Sequence, residues 1–260
     1  MTEGTLKHGL PYYTVGAGRP LVVLRWFTPE HTNPTKWERK AESKVMEPLG
    51  RHFLVYAVNR APGLPAGTTM ADLAAQHAEA LADRFGEPVD VLGMSSGGSL
   101  ALQLAADHPE SVRRLVVAGA AYTLTPRTRE AQRRYTEAVA AGRRGAHHQT
   151  PLVGRTPLSR AVIRPLMWLA DPVMRPSNPL DMLHFAQAED TFDVRDRLAG
   201  ITAPTLVVGG ERDLAYSVEL FRETAELLPD ARLIVYPGTG HLGTFRHPRF
   251  AADVAGFLGP

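Results

Sequence analysis

The segment VDVLGMSSGG (89–98) places a serine, Ser95, between glycines at 93 and 97. The apolar run ending at Gly93 reads as a strand and the stretch 96–107 as a helix, so Ser95 falls in the turn between them. A side chain in so tight a strand-to-helix turn adopts strained backbone angles, and flanking glycines remove Cβ atoms that would collide. Such a turn lifts the Ser95 hydroxyl clear of the sheet. It also aims the first helical amides, beginning with Ser96, at an oxyanion forming on a substrate carbonyl. A serine hydroxyl is a weak nucleophile until a base takes its proton, so this chemistry requires a histidine steadied by an acid.

The chain has ten histidines. His8, His31 and His52 lie in loops or at strand starts, His77 lies on the apolar side of a helix, and His108 and His247 each precede a proline. His147, His148 and His184 fall in a long stretch without strands. Only His241, in YPGTGH (236–241), stands on a glycine-flanked loop after a strand, where catalytic groups of open α/β sheets gather. The acid is expected at a similar edge: Asp213 follows the strand TLVVGG (205–210), and its neighbour Glu211 is chemically equivalent at this stage. The loop after LVVAG (115–119) offers no acid.

These side chains need a scaffold. Short runs rich in β-branched residues, LVVL (21–24), FLVYAV (53–58), VDVLG, LVVAG, TLVVGG and RLIVY (232–236), alternate with amphipathic stretches, the pattern of βα units on a mostly parallel sheet. A weaker strand is expected at 11–15. In TTMADLAAQHAEALADRFG (68–86), Leu73, His77, Leu81 and Phe85 share one helical face, Thr69 and Asp72 form a capping box, and Gly86 is the stop. Further helices are expected at 35–48, 217–228 and 248–257. Residues 122–194 separate two strands by far more than a crossover needs and are proline-rich and helically patterned. They are expected to form an inserted cap, with residues 1–121 and 195–260 as the core.

Composition narrows the classes. Without cysteine there is no disulfide framework, thiolate metal site or thiol nucleophile. All four lysines lie within the first 44 residues and none follows a glycine, which excludes a Walker-type phosphate loop and any later S-x-x-K motif. No H-E-x-x-H spacing occurs, and Gly16-Ala17-Gly18 is too short for a dinucleotide fingerprint. No metal or cofactor is expected. A net charge of +2 without a dense basic run speaks against nucleic acid. The longest uncharged stretch, 91–106, is too short to span a bilayer, and the first residues lack the pattern of a secretory leader. A cytoplasmic protein with no membrane partner is the expectation. Residues 122–180 carry ten arginines against three acids; they either steer an anionic substrate or carrier protein, or form a solvated helical face.

The chain resembles the α/β-hydrolase superfamily, most closely its capped esterase, cofactor-free haloperoxidase and C–C hydrolase branches. The supporting segments are PLVVLRWFTP, MADLAAQHAEAL, GMSSGGSLALQLAADHPESVRRLVVAG, ITAPTLVVGGERD and PGTGHLGTFRHP. The resemblance implies a doubly wound α/β fold with a helical cap, Ser95 as nucleophile, Asp213 as acid and His241 as base. Serine at the turn sets the chain apart from the dehalogenase and epoxide hydrolase branches, which use aspartate. Where the family usually shows His-Gly-x-Pro, this chain reads Arg25-Trp26-Phe27-Thr28. The Phe27 amide would then join that of Ser96 in an oxyanion hole, with strain at Trp26 if that position requires positive φ. Arg25 is a candidate for a substrate anion or for a packed loop base. Candidate pocket residues are Arg25, Trp26, Met94, Met167, Trp168, Phe185 and Leu242; the apolar run 161–174 and Phe185 either line an acyl pocket or pack the cap on the core. The expected activity is hydrolysis of a small or medium ester, thioester or lactone through an acyl-enzyme. C–C bond hydrolysis and perhydrolysis use the same triad, and the altered Arg25-Trp26 stretch leaves open a ligand receptor with little turnover.

Overall fold

The computed structural model describes residues 2–173 and 175–259; Met174, the end of the apolar run above, lies outside them. Eight strands form one sheet: β1 (Glu3–Leu6), β2 (Leu10–Val15), β3 (Pro20–Leu24), β4 (Leu54–Val58), β5 (Val89–Met94), β6 (Val112–Ala118), β7 (Thr205–Gly210) and β8 (Ala231–Tyr236). Their spatial order is β1-β2-β4-β3-β5-β6-β7-β8. The first two pairings, β1 with β2 and β2 with β4, are antiparallel and the rest parallel. From β3 the chain winds one way to β4 and the other way to β5 and beyond. The carboxyl ends of β3 and β5 therefore flank a crevice, the place where open α/β sheets bind ligands.

Helices α1 (Lys36–Gly50), α2 (Met70–Phe85) and α3 (Ser96–Asp107) connect the first parallel strands, and α8 (Val218–Leu227) connects β7 to β8. The short α9 (His241–Phe245) and α10 (Phe250–Leu258) follow β8. Buried residues form one apolar cluster on each face of the sheet, which explains why β5 and β7 are buried throughout and read as continuous apolar runs. Thr69 and Asp72 form the expected capping box, and Gly86 closes α2 in the left-handed region. β1, which carried no strand signal in the sequence, is a four-residue edge strand held by β2 alone.

Between β6 and β7 the chain inserts α4 (Pro126–Ala140), α5 (Thr150–Val153), α6 (Pro157–Ala170) and α7 (Pro179–Asp190). A small apolar cluster of Tyr135, Val139, Ala146 and Met182 joins α4 to α7, with Met167 of α6 packed against it. The insertion is tied down through Leu64, whose amide donates to Asp181 Oδ1 at 2.7 Å and whose carbonyl accepts from His184 Nδ1 at 2.6 Å. Six residues of α7 are buried, while α6 buries none. No helix among the described residues is long and apolar enough to cross a membrane.

Candidate active site

Ser95 takes φ 53° and ψ −126°, one of two non-glycine residues with positive φ among those described. Its amide donates to Ala118 O on β6, which pins the turn to the sheet. The flanking glycines serve close approach rather than unusual torsion. A Cβ on Gly93 would stand 2.4 Å from Gly97 O, and one on Gly97 only 2.1 Å from Leu24 O and 2.6 Å from Arg25 O. The first turn of α3 thus rests directly on the end of β3.

Three strand ends converge on the hydroxyl. Ser95 Oγ lies 2.9 Å from His241 Nε2, and His241 Nδ1 lies 2.8 Å from Asp213 Oδ2. The Asp213 side chain is fully buried, and its other oxygen accepts from the amides of Ala215 and Tyr216. With Nδ1–H donated to the carboxylate, Nε2 is left as the acceptor for the serine proton. Glu211, indistinguishable from Asp213 in the sequence, instead accepts from Gly238 N. Tyr216 stacks on the imidazole and Phe245 meets it edge-on. Gly119, at φ 57°, makes room for both: a Cβ there would lie 2.8 Å from Phe245 and 3.3 Å from His241.

The serine and histidine open onto a cavity of about 660 Å³. Of the residues expected in a pocket, Trp26, Met167 and Leu242 line it, as do Phe27 and Ser96. The other four do not. Arg25 is buried and ion-paired with Glu42, with Nη1 donating to Thr32 O, so it packs a loop base away from the cavity lining. Met94 faces the apolar cluster on one side of the sheet and Phe185 the cluster on the other. Trp168 is exposed beneath the guanidinium of Arg144. Trp26 does not take positive φ, so the strain expected there is absent.

Several residues at the site carried no sequence signal of their own. Gln132 lines the cavity and donates to Glu189, a fully buried carboxyl that also accepts from Ser99 and is pushed above its ordinary range by burial. Arg60, equally buried, braces the loop bearing Phe27. Its guanidinium donates to Arg25 O, Trp26 O and Thr28 Oγ1, and its Nε donates to His31 Nε2 at 3.1 Å. His31 Nδ1 donates to Ala61 O, which fixes a neutral ring; burial and then Arg60 push its pKa down to about 3. Burial lowers Arg60 itself to about 9. The only trace of this brace in the sequence was a histidine and an arginine flanking the two loops it joins.

Residues 35–248 match the family model described as the alpha/beta hydrolase fold. The chain is similar to 2-hydroxymuconate semialdehyde hydrolase of Pseudomonas putida, with 34% identity over 196 residues covering 70% of this chain and 67% of that protein. It is also similar to the pimeloyl-[acyl-carrier protein] methyl ester esterase of Chromobacterium violaceum, with 30% identity over 79% of this chain and 83% of that one. Among solved structures, MGS-M2, an alpha/beta hydrolase enzyme from a deep-sea metagenome library of the Medee basin, superposes with a TM-score of 0.77 at 21% identity. That match covers 100% of this chain and 98% of the other.

Proposed function

The chain belongs to the α/β-hydrolase fold family and is a hydrolase at that level; from that premise we propose that it cleaves a carboxylic ester, thioester or lactone through an acyl-enzyme on Ser95. The observation that carries this reading is the unbroken relay from Ser95 Oγ through His241 to Asp213, with contacts of 2.9 and 2.8 Å, at the wall of an apolar cavity. His241 Nε2 takes the hydroxyl proton as Ser95 Oγ attacks the carbonyl carbon. Asp213 holds the ring orientation and stabilises the imidazolium that forms. The amides of Phe27 and Ser96 receive the oxyanion, a contribution of roughly 3–4 kcal/mol per donor. The tetrahedral adduct collapses as His241 returns the proton to the leaving oxygen or sulfur. Water, deprotonated by the same nitrogen, then releases the acid and regenerates Ser95.

A fluorophosphonate followed by peptide mapping tests the reading, alongside turnover of p-nitrophenyl esters. Stoichiometric labelling at Ser95 that disappears in His241→Ala is expected; a folded protein that takes no label and cleaves no ester overturns it. A second reading, C–C bond hydrolysis by the same residues, is favoured by the likeness to the Pseudomonas semialdehyde hydrolase. A panel of vinylogous diketone acids against simple esters separates the two, and adding peroxide to the ester assay reveals perhydrolysis.

A further inference from the structure

The wall of the cavity carries three charged side chains, Arg155, Arg212 and Arg246, and among the described residues no carboxylate lines it. Asp213 is buried behind His241, and Glu211 is turned to Gly238. Arg212 directly precedes Asp213, and Arg246 ends the turn begun by His241, so both stand on the core beside the histidine. Arg155 reaches them from the insertion, its Nη2 lying 3.4 Å from the Arg212 carbonyl. All three are exposed at the rim.

Most other arginines of the insertion are occupied: Arg133 and Arg134 pair with Glu130, Arg175 with Asp171, and Arg129 with the carbonyls of Asp190 and Phe192. Arg143 and Arg164 have no side-chain partner among the described residues, but neither lines the cavity. The guanidiniums of Arg212 and Arg246 have no hydrogen-bond or ion-pair partner among the described residues. Like charges gathered at one mouth without a counter-ion repel one another and concentrate anions there. A guanidinium fork also matches a carboxylate in shape. Deeper in, the wall is formed by such side chains as Leu124, Leu152 and Met167, which would strand a charge.

We propose that Arg155, Arg212 and Arg246 form an anion subsite at the mouth, and that the substrate is an ester, thioester or lactone carrying a carboxylate separated from its scissile carbonyl by an apolar segment. This rests on the hydrolase reading above. The carbonyl then sits at Ser95, the apolar segment fills the interior, and the carboxylate stays at the wet rim between the arginines.

Two matched pairs test it: p-nitrophenyl adipate monoester against its terminal amide, and 4-acetoxybenzoate against 4-acetoxybenzamide. One pair carries the anion on the acyl part, the other on the alcohol. The anionic member of at least one pair is expected to show a kcat/KM about tenfold higher at low salt, from two screened contacts, and to lose most of that advantage near 0.5 M salt. The anionic-to-neutral ratio is expected to fall at least about threefold in R212Q/R246Q. Ratios at or below one in both pairs, indifferent to salt and to the double substitution, overturn the subsite while leaving the hydrolase intact. If no ester is cleaved the hydrolase reading fails, and calorimetry with adipate on Ser95→Ala protein decides the subsite. Binding that weakens with salt and in the arginine variant upholds it, and no binding ends it.

Discussion

Gly97→Ala is the substitution whose outcome the packing fixes most tightly. Its new Cβ would stand 2.1 Å from Leu24 O and 2.6 Å from Arg25 O, both backbone atoms. Ordinary carbon–oxygen contact requires about 1 Å more, and Leu24 is held on both sides by pairing with Val58 and Gly93. Two adjustments are open. Either α3 rides outward, carrying Ser95 and the Ser96 amide, or the loop after Arg25 peels away, carrying the Phe27 amide. Both separate the proposed oxyanion donors. A displacement near 1 Å, or loss of one donor, lowers kcat by about 10²–10³. Overpacking also costs about 1–3 kcal/mol of stability. The assay pairs kcat and KM on p-nitrophenyl butyrate with thermal unfolding. Gly98→Ala is the comparator, because its Cβ would crowd the Ala120 methyl group at 2.4 Å rather than the end of β3. A folded Gly97→Ala protein within about threefold of the parent kcat would refute the reasoning, as would an equal loss in both variants.

Two further outcomes follow from buried titratable groups. Arg60→Met leaves the Arg25 and Trp26 carbonyls and Thr28 without their donor, so a stability loss of about 2–4 kcal/mol is expected in urea unfolding. kcat should fall more than KM rises, and Arg60→Lys should not restore it, since an ammonium cannot span three acceptors in a plane. His77 is fully buried, and burial holds its pKa down at about 4 while Nδ1 donates to Leu73 O. A histidine depressed in the folded state takes up its proton in the unfolded chain first. Its contribution is therefore complete above about pH 6.5 and is lost as pH falls from there toward 4. In His77→Gln, the stability change between pH 7 and pH 5 should be less unfavourable by about 2 kcal/mol. Asp190, pushed up to about 6 chiefly by burial, works in the opposite direction. The comparison must therefore be made between variant and parent, and identical pH slopes would count against it.

The parallel strands were legible because a sheet covered on both faces demands unbroken apolar runs, and the Ser95 turn because close backbone approach demands glycine. β1 was not: Glu3–Leu6 has one buried residue and a single neighbouring strand, so nothing in its composition marks it. Hydrophobicity distinguished inside from outside but not core from cavity wall. Met94 and Phe185 are as apolar as Met167 and Leu242, yet only the latter pair faces the cavity. Arg25 was ambiguous because its partner Glu42 lies 17 residues on, within α1. Arg212 and Arg246 could have been suspected from their places beside Asp213 and after His241. Arg155, in the insertion, could not.

The uneven burial of the inserted helices bears on how such a protein diversifies. α7 is fastened to the core through Leu64 and buries half its length, so changes there disturb the fold. α6 buries nothing, yet Met167 upon it and Arg155 just before it face the cavity. Substitutions along α6 therefore cost the fold little, whereas Asp171 just after it is buried and accepts from the amides of Gly145 and Ala146. The helix that shapes part of the cavity wall is thus the one the fold constrains least. Drift there can present new chemistries to an unchanged serine, histidine and aspartate.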